Sequence, residues 1–282
     1  MTRVLIVGAH SFDSGKTHLA TELGTLLKDA GQSVEYFKPI SGHNYWYNFE
    51  HTQQCLKSGQ LVSKDATIIK SRLGLQSESL MINPIHSLFV PARVERPLQN
   101  IHGTLGLAGS SAILVMQRFS RPIKANIDST MLLAQNLIDE NAVIIGYEEV
   151  GKLSQDASIL EANTLEAFQG YEELNFESVV SDSFSHLERG ADTIIIESFN
   201  DSAWPWEGLD LVDYVFVVSP GHIFGYDTEK YQKASYLSKR SNLPIREVTF
   251  GRVSDLLRPM TRIEHRPGET LHTSQLRKLG MT

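Results

Sequence analysis

The chain has a single cysteine, Cys55, among 282 residues. An intramolecular disulfide is therefore excluded, and the composition is typical of a protein kept in a reducing compartment. No apolar run approaches the roughly 20 residues that a membrane-spanning helix needs. Val4–Val7 is a short apolar segment that leads directly into a polar loop, so no secretory signal is expected. These features predict a cytoplasmic protein without a membrane partner.

The chain also lacks an excess of positive charge: 26 lysines and arginines stand against 33 aspartates and glutamates, so the formal net charge at pH 7 is −7. An acidic chain is not attracted non-specifically to nucleic acid, so a nucleic-acid partner is not expected. Five arginines between Arg246 and Arg266 leave a local basic patch open. Cysteine and histidine do not occur at the spacing of zinc motifs, and no nucleophile-elbow pattern supports hydrolase chemistry.

Hydrophobic patterns predict an α/β fold. Arg3–Gly8 is an apolar run that ends in glycine, as in a buried parallel strand. Leucines at helical spacing follow within Gly15–Ala30, and Ser33–Ile40 then predicts a second strand, which completes a βαβ unit. Further strands are predicted at Asp192–Glu197 and Tyr214–Val218. Further helices are predicted at Lys64–Arg72, Phe184–Glu188 and Thr228–Arg240. We expect one domain over residues 1–282, built on a mostly parallel, doubly wound sheet.

Two segments fit this pattern less well. Ser111–Met116 and Asn141–Gly146 predict strands of a β-containing subregion, inserted into the main fold at approximately residues 99–170. Residues from about 259 to 282 are rich in turn-forming residues and predict a C-terminal tail.

The strongest functional signal is the loop Gly8-Ala-His-Ser-Phe-Asp-Ser-Gly-Lys-Thr17, between the first strand and the first helix. In a phosphate-binding P-loop, backbone N–H groups and a helix N-terminus surround the phosphates, a lysine reaches the outer ones, and the next hydroxyl binds Mg²⁺. His10 stands where the strict pattern has glycine, so this is a variant that opens at Gly8. The fold is therefore expected to be of the P-loop NTPase type. The expected nucleotide-binding residues are Gly8, Asp13, Ser14, Gly15, Lys16, Thr17 and His18.

A P-loop enzyme also needs a carboxylate at a neighbouring strand end to hold Mg²⁺. Glu197 ends the run Thr193-Ile-Ile-Ile-Glu and is the best candidate. Trp204 and Trp206 lie in the following loop, where they either line a substrate pocket, pack beneath the loop or face a partner subunit.

Several ordered segments resemble dethiobiotin synthetase and the related cobyrinic acid amide ligase type of P-loop proteins. Beyond the phosphate loop, the similar segments are Phe37-Lys-Pro-Ile-Ser-Gly42, Ser63–Thr67, Met81–Pro91, Ile196-Glu197 and Gly251–Asp255. The resemblance covers most of the chain apart from about residues 99–170. The chain departs from the family in four ways. The Lys-Pro segment has one residue fewer before Ser41-Gly42, and the segment at about residues 99–170 is much longer than the family's usual connection. The loop after Glu197 is not glycine-rich, and Gly251 stands where the base-reading motif usually has asparagine.

The resemblance implies an ATP-dependent ligase that uses Mg²⁺, with GTP not excluded. It implies that Thr17, Asp65 and Glu197 hold the metal, while Lys16, Lys38 and Ser41 act on the transferred group. The implied partners are the nucleotide, a small-molecule acid or amine substrate and a second copy of the chain in a homodimer. A nucleotide-dependent switch or delivery ATPase or GTPase, which acts on a protein partner, stays the alternative function. A kinase of nucleic-acid ends is a third hypothesis, which the acidic charge disfavours.

Overall fold

The computed structural model describes residues 1–11, 13–94, 112–124, 126–241, 243–266 and 268–281. The strands in these ranges are β1 Thr2–Gly8, β2 Val34–Phe37, β3 Ile40–Asn44, β4 Ile85–Pro91, β5 Ala112–Ile123, β6 Asn126–Leu133, β7 Ser158–Glu161, β8 Thr193–Glu197, β9 Tyr214–Ser219, β10 His222–Tyr226 and β11 Thr261–Glu264. The α-helices are α1 Lys16–Asp29, α2 Phe49–Ser58, α3 Lys64–Leu73, α4 Ser79–Ile82, α5 Gln135–Asp139, α6 Tyr147–Leu153, α7 Leu165–Glu188, α8 Thr228–Leu237, α9 Phe250–Ser254 and α10 Thr273–Lys278.

The first sheet has six strands in the order β11-β10-β9-β1-β8-β2. β2, β8, β1 and β9 run parallel, and β10 and β11 are added antiparallel at one edge. β1 and β8 are buried runs of branched residues, as a sheet covered on both faces requires. Because parallel strands end at the same sheet edge, Gly8, Lys38 and Glu197 come together there.

The second sheet has five strands in the order β3-β4-β5-β6-β7. The pairs β3–β4 and β6–β7 are parallel, whereas β4–β5 and β5–β6 are antiparallel. The expected α/β class is therefore confirmed, but the strands are divided between two sheets.

The strand predicted at Ser33–Ile40 is split between the two sheets. β2 ends at Phe37 in the first sheet, and β3 begins at Ile40 in the second. Pro39 has no N–H group to donate to a neighbouring strand, which is the physical reason for the break. The Lys38 N–H group instead donates to the carbonyl of Ile82 at 2.8 Å.

The strand predicted at Asn141–Gly146 is wrong. Among the described residues, Val143 pairs with Ala92 in an isolated antiparallel bridge and belongs to no strand, and Asn141 has a positive φ of 54°. The strand predicted from Ser111 is longer than expected and is described from Ala112 to Ile123. Residues 95–111, which include Ser111 and the start of the predicted insertion, lie outside the described residues.

The 24-residue helix α7 connects the two sheets, because it packs against β5 of the second sheet and β2 of the first. Its buried side chains include Phe176, Val180 and Phe184. The helix predicted at Phe184–Glu188 is the last part of α7. The segment after residue 259 contributes β11 and α10, with Leu271 and Leu276 buried.

The other predicted helices agree closely with the structure: α1 and α3 occupy their predicted ranges, and α8 ends three residues before Arg240. Within the described ranges, we find no helix of the length and apolarity that a membrane crossing demands.

Candidate functional site

A cavity of about 870 Å³ opens at the carboxyl ends of β1, β2 and β8. The loop before α1 forms one wall, and residues of β3 and the start of α3 form the opposite wall. The predicted site residues that line it are Asp13, Ser14, Gly15, Lys16, Thr17, Lys38, Ser41, Asp65 and Glu197.

The loop before α1 is held by its own polar groups. Gly15 precedes the helix with a φ of 92°, a left-handed conformation that favours glycine. The Ser14 hydroxyl donates to the carbonyl of His10 at 2.7 Å, and the His10 N–H group donates to the Ser14 oxygen at 3.2 Å. The Ser11 hydroxyl donates to Asp201 at 3.0 Å, which connects the loop to the segment after β8.

Position 8 needs glycine because neighbouring groups lie too close to its backbone for a side chain to fit. A Cβ atom at this position would lie 2.8 Å from Nζ of Lys16 and 2.8 Å from Oγ of Ser14, closer than real Cβ atoms come. The Lys16 ammonium lies directly over Gly8 and donates to the carbonyl of Asn200 at 2.7 Å. Glycine at the end of β1 therefore makes room for the lysine.

Lys38 joins the two predicted metal-binding carboxylates. Its Nζ donates to Oε1 of Glu197 at 2.8 Å and to the carboxylate of Asp65. Glu197 also accepts from the Thr17 hydroxyl at 3.3 Å and from the Tyr36 hydroxyl at 2.9 Å. Both Lys38 and Glu197 are almost completely buried.

The electrostatics follow from this arrangement. Burial opposes the charge of Lys38, but the carboxylates of Glu197 and Asp65 outweigh it and raise the pKa of the ammonium above its usual value. Burial likewise opposes the charge of Asp65, and the neighbouring Lys38 lowers the pKa of that carboxyl. Burial lowers the pKa of Lys16, with Glu197 opposing the shift. The site therefore holds two ammonium groups and two carboxylates close together, with Lys38 paired to both carboxylates.

A chain of buried polar groups lies behind Ser41. The Asn83 amide nitrogen donates to the carbonyls of Lys38 and Ile85, so its oxygen accepts the hydroxyl proton of Ser41 at 2.8 Å. Nδ1 of His86 must then carry the proton in its contact with Ser41 Oγ, at 2.6 Å.

The chain of polar groups continues from His86 into β3 and α2. If Nδ1 of His86 carries its proton, Nε2 of a neutral ring accepts from Nδ1 of His43 at 2.7 Å. Oγ1 of Thr52 lies 3.2 Å from the remaining nitrogen of His43. Burial lowers the pKa of His43 to about 3 and that of His86 well below its usual value, so both rings are neutral.

A second cavity of about 300 Å³ adjoins the first, since Ser41, Phe89 and Phe199 line both. Its other walls are largely apolar, with Ile40 and Phe168 among them. It has the mixture of apolar walls and a few polar groups that small-molecule sites usually have.

The structure does not bring every predicted residue to the cavity. His18 faces away from it, with its ring stacked on His265 at 5.4 Å, so only its backbone N–H group is left for a nucleotide. Trp204 and Trp206 are buried beneath the loop that carries them, and Trp206 packs against Phe37. No residue of the range 251–255, as far as the described residues go, lines the cavity.

Some site residues could not be found from the sequence. Asn200 contributes a backbone carbonyl that accepts from Lys16, and Tyr36 contributes a hydroxyl that donates to Glu197. No sequence pattern indicates either group. His43 and His86 were missed because their contact depends on the pairing of β3 with β4, where Ser41 lies opposite His86. Asn83 belongs to a segment of the family resemblance, but its role becomes visible only in the hydrogen bonds.

Three side chains that line this cavity, those of Thr17, Asp65 and Glu197, could hold Mg²⁺. The hydroxyl of Thr17 and the carboxylate of Glu197 are already in contact, and Asp65 reaches the same group of charges through Lys38. All three side chains offer oxygen atoms, the ligands that a hard cation prefers.

Comparison with known proteins gives no family for the chain. No protein-family model matches its sequence. A search of curated proteins also finds no significant match.

Proposed function

We propose that the chain binds a nucleoside triphosphate, with ATP as the first candidate, and transfers its γ-phosphoryl group to a carboxylate or carbamate. The fold would be that of a P-loop NTPase of the dethiobiotin synthetase type. One observation carries this proposal: Lys16, Thr17, Lys38, Asp65 and Glu197 converge on one cavity at the strand ends. Glycine, lysine and hydroxyl at a strand-to-helix turn are the groups that cradle phosphates.

Each side chain has a definite task in this proposal. Lys16 would neutralise the outer phosphates, and the N–H groups at the start of α1, which has no side-chain cap, would face the same anion. Thr17, Asp65 and Glu197 would hold Mg²⁺, which supplies charge neutralisation at the phosphate oxygens. Lys38 keeps a positive charge beside the carboxylates of Asp65 and Glu197. That charge would stabilise the negative charge that develops on the transferred group.

The reaction is a displacement at phosphorus followed by one at carbon. An oxygen of the carboxylate or carbamate attacks the γ-phosphorus, and the bond to the ADP oxygen breaks. The nitrogen of an amine then attacks the carbonyl carbon of the mixed anhydride, phosphate leaves with the bonding electron pair, and the nitrogen loses a proton. Such chemistry needs alignment and charge stabilisation rather than a covalent contribution from the protein. The second cavity, which meets the first at Ser41, gives a place for the acid or amine substrate.

A second function, a nucleotide-dependent switch, is favoured by the contact between Lys16 and Asn200. The Lys16 ammonium is bound to the Asn200 carbonyl at 2.7 Å, in the segment that follows β8. A triphosphate would compete for this ammonium, so binding would release the segment and alter the surface around it. Release of a loop by a phosphate contact is a common switching device.

Release of the nucleoside diphosphate in Mg²⁺, ADP from ATP or GDP from GTP, separates the two functions. We would compare ATP with GTP, each alone and with a diamino acid plus bicarbonate, starting with diaminononanoate. A ligase responds to the added amine and bicarbonate, whereas a switch turns over at the same slow rate and changes its association state between ATP and ADP. Failure to turn over either nucleotide under all of these conditions would overturn the enzyme proposal.

The Glu197→Gln variant connects this turnover to the site. Loss of one charge-stabilising contact is expected to lower Mg²⁺-dependent turnover by roughly 10²-fold. The matched control is Glu140→Gln, because Glu140 is exposed at the end of α5. Equal rates for the two variants would remove Glu197 from the proposed mechanism.

A further inference from the structure

We infer that His18, Glu22 and His265 form a binding site for a transition-metal ion of the Zn²⁺ class, separate from the proposed Mg²⁺ site. His18 and Glu22 lie four residues apart on α1 and so share one face of the helix. His265 follows β11 and reaches the same face from the C-terminal segment. The site therefore joins two parts of the chain that are far apart in sequence.

The distances suit tetrahedral coordination. Nε2 of His18 lies 3.5 Å from Oε1 of Glu22, and Nε2 of His265 lies 3.6 Å from Oε2 of Glu22. One ligand atom from each of the three residues can be chosen so that all lie within 4.8 Å of one another. Bonds of about 2.1 Å in a tetrahedral zinc site place ligand atoms about 3.4 Å apart. The two separations from a histidine nitrogen to a Glu22 oxygen are thus close to this spacing, and no separation in the chosen set exceeds 4.8 Å.

His265 supplies a second, independent observation. The residue is 8% exposed, and within the described ranges neither of its ring nitrogens has a hydrogen-bond partner. A buried polar atom without a partner is costly, and native structures rarely keep two on one side chain. A metal ion between His265 and Glu22 would satisfy one of these nitrogens.

Glu22 is held in place for such a role. Its Oε2 accepts the backbone N–H group of Leu271 at 2.5 Å, and the side chain is largely buried. Hydrogen bonds of this kind orient carboxylate ligands in metal sites and support their affinity. The carboxylate is therefore fixed between the two imidazoles rather than free to turn into solvent.

The donor set selects the kind of metal. Two imidazole nitrogens and one carboxylate oxygen suit Zn²⁺, Co²⁺ or Ni²⁺, whereas Mg²⁺ prefers oxygen ligands alone. The Thr17, Asp65 and Glu197 group offers only oxygen. Three protein ligands also leave a fourth position for water. The chain would thus hold two metals of different hardness near the first turn of α1.

The consequence is a fastening of the C-terminal segment onto α1. β11 pairs with β10 at the edge of the first sheet, and Leu271 and Leu276 pack beyond it. His18 directly follows Thr17, so an ion at this site would also fix the turn of α1 that presents N–H groups to the phosphates. No local sequence pattern reveals this site, because Glu22 and His265 are separated by most of the chain.

Titration of the full-length chain with Co²⁺ and Zn²⁺ tests the inference. The protein would carry no histidine tag and would first be treated with a chelator. We expect one Co²⁺ per chain with visible absorption typical of tetrahedral coordination, which Zn²⁺ displaces, and a rise in Tm with Zn²⁺. His265→Ala and Glu22→Gln are each expected to lower Zn²⁺ affinity at least about tenfold.

Two control variants distinguish Zn²⁺ binding at this site from Zn²⁺ binding elsewhere on the chain. His186→Ala is the matched control, because His186 is exposed on α7, and Asp65→Asn tests independence from the proposed Mg²⁺ site. Both should bind Zn²⁺ as the parent protein does. If His265→Ala fails to fold, His18→Ala gives the same test, because the His18 side chain is 46% exposed. Equal Zn²⁺ affinity in the His18 and His186 variants, or no binding by the parent protein, would overturn the inference.

Discussion

Lys38 and Glu197 are opposite charges in direct contact inside the protein, 5% and 1% exposed respectively. Taking either charge out of water is costly, and their mutual attraction offsets that cost only while both are present. Asp65 shares the ammonium, and the Tyr36 hydroxyl satisfies the second oxygen of Glu197. The group is therefore stable as a unit and vulnerable to the loss of any one charge.

The first prediction concerns that vulnerability. Lys38→Ala leaves the Glu197 carboxylate buried without its cation, and we expect the free energy of unfolding to fall by about 3–5 kcal/mol. The double variant Lys38→Ala/Glu197→Gln removes the stranded charge as well, so it should recover part of that loss. Urea denaturation at pH 7 measures both. Losses that simply add in the double variant would show that the two side chains are not coupled.

The second prediction follows from the neutral rings of His43 and His86. Their pKa values are lowered by burial, that of His43 to about 3, whereas a histidine in the unfolded chain titrates near 6.5. As the pH falls below about 6.5, these histidines bind protons in the unfolded state but not in the folded state. The full contribution of the neutral rings to stability is therefore present above pH 6.5. Between pH 6.5 and the pKa of a ring in the folded state, that ring lowers the free energy of unfolding by about 1.4 kcal/mol for each pH unit of acidification.

The measurement is the free energy of unfolding between pH 7 and pH 5, by urea denaturation. His43→Gln should weaken the pH dependence by about one proton, whatever its effect on absolute stability. His186→Gln, which replaces an exposed histidine on α7, is the matched control. An identical slope for the His43 variant and the parent protein would show that His43 is not held neutral.

At the scale of elements, the junction of β1 with the start of α1 is defined by close contacts. The end of β1 lies so close to Lys16 that no side chain fits at Gly8. The lysine is fixed from the other side by the Asn200 carbonyl. The position of the Lys16 ammonium therefore depends jointly on β1, α1 and the segment after β8.

The third prediction is that Gly8→Ala displaces Lys16 and weakens nucleotide binding. The new Cβ atom would lie 2.8 Å from the ammonium and 2.9 Å from the Asn200 carbonyl, so both must move. Gly151→Ala is the control, because a Cβ atom there meets nothing within 4 Å in α6. Titration with ATP in Mg²⁺ compares the two. Equal ATP affinity in both variants would contradict the close-approach argument.

How far the sequence could predict these elements depended on whether the signal was local. The β1–α1–β2 unit and the position of the glycine-containing turn before α1 were predictable, because alternation of apolar runs with glycine and helical leucine spacing is local information. Pro39 is a signal for the break between β2 and β3, but the apolar pattern that continues through Ile40 predicts one uninterrupted strand. The roles of Lys38 and Asp65 were predicted only from the resemblance to a known family.

Other parts of the site could not be predicted from one sequence. The contact of His86 with Ser41 depends on the register of β3 against β4, which no local pattern specifies. Asn200 acts through its backbone carbonyl, so its side-chain identity carries no signal. The strand expected at Asn141–Gly146 failed because its apolar residues pack in a turn-rich segment rather than in a sheet.

At the scale of the whole molecule, the candidate site lies where the two sheets meet. The first sheet presents the loop before α1 and Glu197, and the second presents Ser41 and His43 from β3. α7 packs against both sheets and holds them together. The nucleotide would therefore contact the first sheet, while its reaction partner would approach from the second.

The most direct test of this account is calorimetric titration of the full chain with ATP in Mg²⁺, before and after Lys16→Ala. Lys152→Ala on α6 is the control, since that lysine is exposed and pairs only with Glu148 among the described side chains. We expect one ATP per chain, and a loss of about 10- to 100-fold in affinity for the Lys16 variant, as for one charge-assisted hydrogen bond. Unchanged affinity without the Lys16 ammonium, or no ATP binding by the parent protein, would contradict the account.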